Sequence, residues 1–355
     1  MKKLKHKKNI LLRNEAIMRR RRRAKIKRRE LNIQRNKFNP YKERYHKRGK
    51  ERNEEIELDA GTNFSLLTHP EAVIELLHRL EGCKKVPRYI KRIFIDLSHI
   101  QTIDIDAINV LLAKINEFSK IKRLHISGNM PNNKNCRELF EKSGFLDYMI
   151  DLSGNKFEKK SLNFILSIGS DKTLNEKIGR TIEKAMKFLT GVEQKYPPVY
   201  SIVQEMCSNS IEWANPYNNR NRNWLLGIQL VKKNFEQVVN FALTDIGFGI
   251  INTVYRKIGT KFVESFGNID DLEILKRTFE GVYGSKSREP NRNKGMPLIK
   301  DRFESGYIYD LRVITNKVFL DFSAKENSRI IARNFPGTYY SWSINKKCLE
   351  RWNPK

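Results

Sequence analysis

The chain has 355 residues, 39% of them hydrophobic, which is enough for two ordinary domains and an appendage. Its 69 Lys and Arg against 40 Asp and Glu leave a formal net charge of +29, so a polyanionic partner is expected for at least part of it. No apolar run is long enough to span a membrane and Ile10 to Leu12 is too short for a signal-peptide core, while Cys83, Cys136, Cys207 and Cys348 lie far apart without C-x-x-C or paired-His spacing; the expectation is a cytoplasmic protein with reduced thiols.

The charge is concentrated at the start. Residues 1–55 hold 23 Lys or Arg against 6 Glu, and their apolar residues are too scattered for a helical stripe. Like charges at that density repel, so a disordered or frayed helical arm is expected, with a polyanion to neutralise it. Nucleic acid, RNA or DNA, is the leading candidate, because Lys and Arg displace counterions from phosphates. The residues proposed for those contacts are Arg19, Arg20, Arg21, Arg22, Arg23, Lys25, Lys27, Arg28 and Arg29, with Phe38, Tyr41 and Tyr45 available to stack on bases. A solubilising or targeting tail, or binding to an acidic membrane or protein surface, are the alternatives.

Residues 56–152 read as a small α/β layer domain. Pro70 opens the amphipathic E-A-V-I-E-L-L-H-R-L, which ends at Gly82. Next come a strand R-I-F-I-D-L-S, a helix from Asp104 to Phe118, a strand R-L-H-I-S-G, and a helix through Cys136 to Lys142 closed by Gly144. The phrase D-L-S-H-I-Q-T-I-D-I-D-A-I-N-V-L-L and the later S-G-F-L-D resemble the STAS domains of anti-sigma-factor antagonists. Those domains carry a phosphorylatable serine where this chain has Asp106, so switching by phosphorylation at that position is not expected. Ser98 is a nearby hydroxyl read as part of a strand-end turn.

Residues 153–172 read as a linker with a short strand, Leu162 to Ile168, and residues 173–348 as a second domain with a tail, 349–355, after it. In the second domain a helix from Leu174 to Leu189 leads to Q-E-M-C-S-N-S-I-E-W-A. There Glu205, Asn209 and Glu212 are offset by four and three residues and share a helix face. Two strands come next, Trp224–Leu230 and Val238–Leu243, the second running into T-D-I-G-F-G-I. Taken alone, the acids could sit on a solvated helix face and D-I-G-F-G could be a turn. After a segment containing Lys286, Arg288, Arg292 and Lys294 comes K-G-M-P-L. Three strand candidates, I-Y-D-L-R-V-I-T, K-V-F-L-D-F-S and R-I-I-A-R-N-F, then complete a sheet, and aromatics from Thr338 onward suit docking or core packing.

The order E-x-x-x-N-x-x-E, D-x-G-x-G and a later glycine segment resembles the N box and glycine boxes of the GHKL superfamily. That family includes gyrase, heat-shock chaperones, histidine kinases, MutL, MORC proteins and anti-sigma-factor kinases. The resemblance implies a Bergerat-type α/β sandwich holding ATP with Mg²⁺ under a lid. Asn209 would complete the Mg²⁺ coordination, Asp245 would accept a hydrogen bond from the adenine amino group, and Glu205 would activate the attacking water, with Glu212 beside them. Gly247, Gly249, Lys294 and Gly295 would border the nucleotide. Pro297 stands where the family's second glycine would be. The chemistry is consistent: Mg²⁺ prefers oxygen ligands and keeps waters, a carboxylate one turn away can orient a water, and glycine lets backbone approach a ligand.

The function expected is therefore an ATP-binding regulatory switch, hydrolysing ATP with Mg²⁺ and coupled to nucleic acid or ribonucleoprotein by the basic arm. A regulatory or defence setting would suit it. The alternatives are a serine-directed kinase of the anti-sigma type and a non-catalytic nucleic-acid-binding scaffold with a nucleotide-sensing pocket. All six histidines lie at or before His125, so no phosphoacceptor histidine is expected in the second domain. A protein partner at the STAS-like domain and a homodimer are compatible with this organisation.

Overall fold

The computed structural model describes residues 54–352 except 119–122, 152–154, 158–163, 170–174, 214–223, 234–235, 260–268 and 284–294. From Glu54 onward the chain forms one compact α/β unit that contains both parallel and antiparallel sheets.

The N-terminal part alternates strand and helix. Strands β1 (Glu55–Asp59), β3 (Arg92–Asp96) and β5 (His125–Gly128) form a parallel sheet, while β2 (Asn63–Phe64) and β4 (Thr102–Ile103) make a short parallel ladder. Helix α1 (Pro70–Cys83) starts on a proline, which loses no hydrogen bond in a first turn, and buries Val73, Ile74, Leu76, Leu77 and Leu80. Helix α2 (Ile105–Phe118) is buried nearly all round, from Asp106 through Ala113, as a helix packed on both sides must be. Helix α3 (Lys134–Lys142) is capped by the Asn133 side chain and ends before Gly144, whose φ of 79° turns the chain. Ser98 takes the role expected of it, its amide donating to Asp96 Oδ1 at a strand end.

The C-terminal part is built on a five-stranded antiparallel sheet ordered β6-β7-β8-β10-β9. Its strands are β6 (Phe164–Gly169), β7 (Trp224–Lys233), β8 (Glu236–Asp245), β9 (Tyr309–Asp321) and β10 (Arg329–Asn345). One face carries α4 (Asn175–Thr190), α5 (Pro197–Trp213), α6 (Ile250–Ile258), α7 (Asp271–Phe279), α8 (Gly295–Glu304) and α9 (Lys346–Trp352). Alternation along each strand divides the residues between two cores. Phe241, Leu243, Tyr340 and Trp342 face these helices, Phe241 and Trp342 stacking with centroids 5.2 Å apart. Leu225, Ala242, Ile314, Phe335 and Tyr339 face the other way and join the core of α1 and α2.

The two halves read from the sequence as separate domains thus share a core. A β-carbon on Gly227 of β7 would lie 2.5 Å from Asn109 Nδ2, so α2 rests on bare backbone. From α1, Arg333 pairs with Glu75 at 2.6 Å and the His78 ring bonds the Asn334 carbonyl at 2.5 Å. The strand expected in a linker, β6, is the sheet's edge. Instead of three closing strands there are two, because Asn316 adopts a φ of 50° and lets two apolar runs continue as β9. The third run continues through Gly337, so Tyr339, Tyr340 and Trp342 are buried strand residues. Among the described residues no helix is long and apolar enough to cross a membrane.

Candidate functional site

Helix α5 starts on Pro197 and Pro198, then buries Val199, Ile202, Val203, Met206 and Cys207 against the sheet at three- and four-residue spacing. That orientation leaves Glu205, Asn209 and Glu212 along one flank. Glu205 and Asn209 are half-buried and Glu212 is exposed. The Asn209 side chain hydrogen-bonds the Glu205 carboxylate. Burial pushes the Glu205 carboxyl above the usual carboxylate range and the charge of Glu212 adds to this, while the bond from Asn209 opposes it. A carboxyl raised in this way is better suited to take a proton from water at neutral pH.

The next residue on the helix, Ser210, is the link to the sheet. Its hydroxyl lies 3.1 Å from Asp245 Oδ2 and bonds the Met206 carbonyl at 2.9 Å. Asp245 closes β8, flanked by Trp224 on β7 and Thr338 on β10, and is 6% exposed. It accepts hydrogen bonds from Ser210 and from the backbone and side chain of Thr338. Loss of solvent is nevertheless the stronger effect and raises its carboxyl to about 7. A buried carboxyl with hydroxyl donors and no ion pair among the described residues is suited to a polar, uncharged group.

The glycines act differently from one another. Gly249 has a φ of 78°, and a β-carbon there would lie 2.4 Å from Asn316 Oδ1. Asn316 needs that space to cap α6: its Oδ1 accepts from the amide of Ile251 at 3.0 Å, and Thr315 accepts from Ile250 at 2.9 Å. Gly247 lies beside Gly337, just past the end of β8 where β10 pairs with it. A β-carbon on Gly337 would be 2.0 Å from the Asp245 carbonyl oxygen and 2.9 Å from the Gly247 nitrogen. Gly295, first residue of α8, abuts α5: its β-carbon would be 1.8 Å from Glu205 Oε1. Beside it the Tyr340 hydroxyl donates to Met296 Sδ at 3.6 Å, and the charges of Asp245 and Glu205 add to burial in raising that phenol.

Glu205, Asn209, Asp245 and Gly295 are therefore gathered between α5, α8, the end of β8 and the middle of β10, with Gly247 beside Gly337 and Glu212 at the rim. Lys294 and the other cations of the expected lid lie outside the described residues, as do Arg19 to Arg23, Lys25, Lys27, Arg28 and Arg29 of the arm. Among the described residues no three His, Cys, Asp or Glu side chains are grouped to hold a metal. Magnesium expected on one amide oxygen and phosphates does not require such a group, and the amide of Asn209 retains an oxygen suited to a hard cation while its N–H serves Glu205. Sequence reading did not find Ser210, Thr338, Gly337 and Tyr340. Gly337 was the detectable one, as a glycine inside an apolar strand run marks a bulge or close backbone approach.

A scan against protein-family models gives no match, and a search of curated proteins finds no significant relative.

Proposed function

We propose that residues 54–352 form an ATP-binding switch of the GHKL type, with a STAS-like layer fused to the back of its sheet, and that the basic arm preceding them engages nucleic acid. The observation that carries the reading is the meeting of Gly295 with Glu205, beside the Ser210 and Asp245 contact. It brings an acid, an amide, a helix amino terminus and a buried carboxyl from three remote segments to one place. Asp245 and Thr338 would receive the adenine edge, Asn209 would hold Mg²⁺ with the phosphates, and Glu205 would take the proton of the attacking water. Bound Mg²⁺ would supply charge neutralisation on the phosphates.

Within the kinase alternative, transfer onto the chain's own STAS-like layer is disfavoured by one residue. Asp106, at the position of the serine in the STAS resemblance, is buried beneath β10 against Tyr339, where no phosphoryl group could reach it. Equilibrium dialysis of the full chain with labelled ATP tests the reading. One saturable site per chain in Mg²⁺, weakened by EDTA, is expected; no retained ATP at millimolar concentration would overturn it.

A further inference from the structure

Three consecutive residues of β10 serve two faces of the sheet. Thr338 bonds Asp245, Tyr339 turns to the other face and donates its hydroxyl to Asp106 Oδ1, and Tyr340 returns to the first face and reaches Met296 of α8. The strand arrives there irregularly. Its register with β9 shifts between Ile330 and Phe335 and again between Phe335 and Thr338, and Gly337 sits at a φ of 131° against the Asp245 carbonyl. A slip of one residue would exchange the faces, turning Thr338 away from Asp245 and Tyr339 toward it.

The contacts from α1, Arg333 with Glu75 and Asn334 with His78, precede the second shift and do not fix the strand beyond it. Beyond it β10 pairs with β8 without a break from Thr338 to Asn345, and Tyr339 adds the tie to the other layer, its ring fully buried and its hydroxyl held by the Asp106 carboxyl on α2. Asp106 is 9% exposed, with Asp104 and Arg312 as its charged neighbours, and Arg312 is engaged by Asp321 at 2.9 Å. Burying a carboxyl at this position costs free energy that an apolar residue would avoid.

We propose that Asp106 is a positioning residue for the nucleotide site: through Tyr339 it pins the register of β10 beyond Gly337 and so holds Thr338 against Asp245. The STAS-like layer then acts on the ATP site through one strand, the two faces of which carry the two hydrogen bonds. The consequence for nucleotide rests on the proposed ATP reading; the pinning of β10 does not.

The test uses the full chain with Asp106→Ala, Tyr339→Phe and the conservative Asp106→Asn, which keeps an acceptor for the tyrosine. Hydrogen exchange without nucleotide is expected to quicken about tenfold or more over residues 337–345 in the first two variants. Exchange over α7 should stay unchanged, and Asp106→Asn should behave much as wild type does. ATP affinity should fall about tenfold in the same two variants, with affinity for inorganic triphosphate unaltered. Unchanged exchange over 337–345, or equal quickening over α7, would overturn the inference. So would a parallel loss of ATP and triphosphate. Failure of wild type to bind ATP would instead overturn the proposed function, leaving exchange to decide the pinning.

Discussion

Glu205 Oε1 lies 1.8 Å from where a β-carbon on Gly295 would be, so the acid of α5 and the first residue of α8 share a space that only glycine leaves open. Gly295→Ala should push Glu205 aside or lift α8, lowering ATP turnover about a hundredfold or more. Glu205→Ala should lower turnover comparably yet leave ATP binding nearly intact, and Glu212→Ala should do neither. Because Glu205→Ala removes the clashing atoms, adding Gly295→Ala to it should cost no further turnover and leave ATP binding nearly intact. Phosphate release and ATP titration of the four proteins check this.

Two buried carboxyls make stability depend on pH. Asp106, raised to about 7 by burial and by Asp104, and Asp245, raised to about 7 by burial, both keep their protons in the folded state where an unfolded chain has lost them. Their contribution is fully present below about pH 4 and is lost as pH rises through about 7. The melting temperature should therefore fall between pH 5 and pH 8, by about 3 °C or more. Asp106→Asn should flatten the slope by about half, as thermal denaturation across that range can measure.

Helical and strand periodicity made most elements legible, α1, α2, α5, β7 and β8 above all, because their apolar spacing reports a buried face. The flank of α5 was legible for the same reason: Glu205, Asn209 and Glu212 fall to one side of the apolar set Val199, Ile202, Val203, Met206 and Cys207. Periodicity does not carry the partner of a buried face. The packing of α2 on β7 depends on Gly227 lacking a side chain under Asn109, and the Asp245 site depends on Thr338 arriving from a strand paired far along the chain. Asn316 hid the course of β9, since a left-handed φ in a strand is uncommon for a residue other than glycine.

Gly227→Ala probes the joint between the two halves. The added carbon would meet the Asn109 side chain from 2.5 Å, and overpacking of this kind costs about 1–3 kcal/mol. Asn109→Ala in the same chain should restore much of that stability. Chemical denaturation of both variants provides the comparison.

The basic arm should bind nucleic acid through phosphates. If it makes on the order of six contacts, affinity should drop roughly a thousandfold between about 50 and 200 mM salt with little dependence on sequence. Removing residues 1–50 should abolish this binding while ATP affinity stays the same. Fluorescence anisotropy with labelled RNA and DNA over a salt series measures both.

The most direct test of the nucleotide site is calorimetry of ATP and of inorganic triphosphate, in Mg²⁺, against wild type and Asp245→Asn. Asp245 is buried where Ser210 and Thr338 converge, so its replacement should act on the adenine end alone. The expected result is ATP binding by wild type, an Asp245→Asn variant weakened at least about tenfold for ATP, and triphosphate affinity equal in both proteins. Absence of heat with wild type, or equal weakening of both ligands, would contradict an adenine site at Asp245.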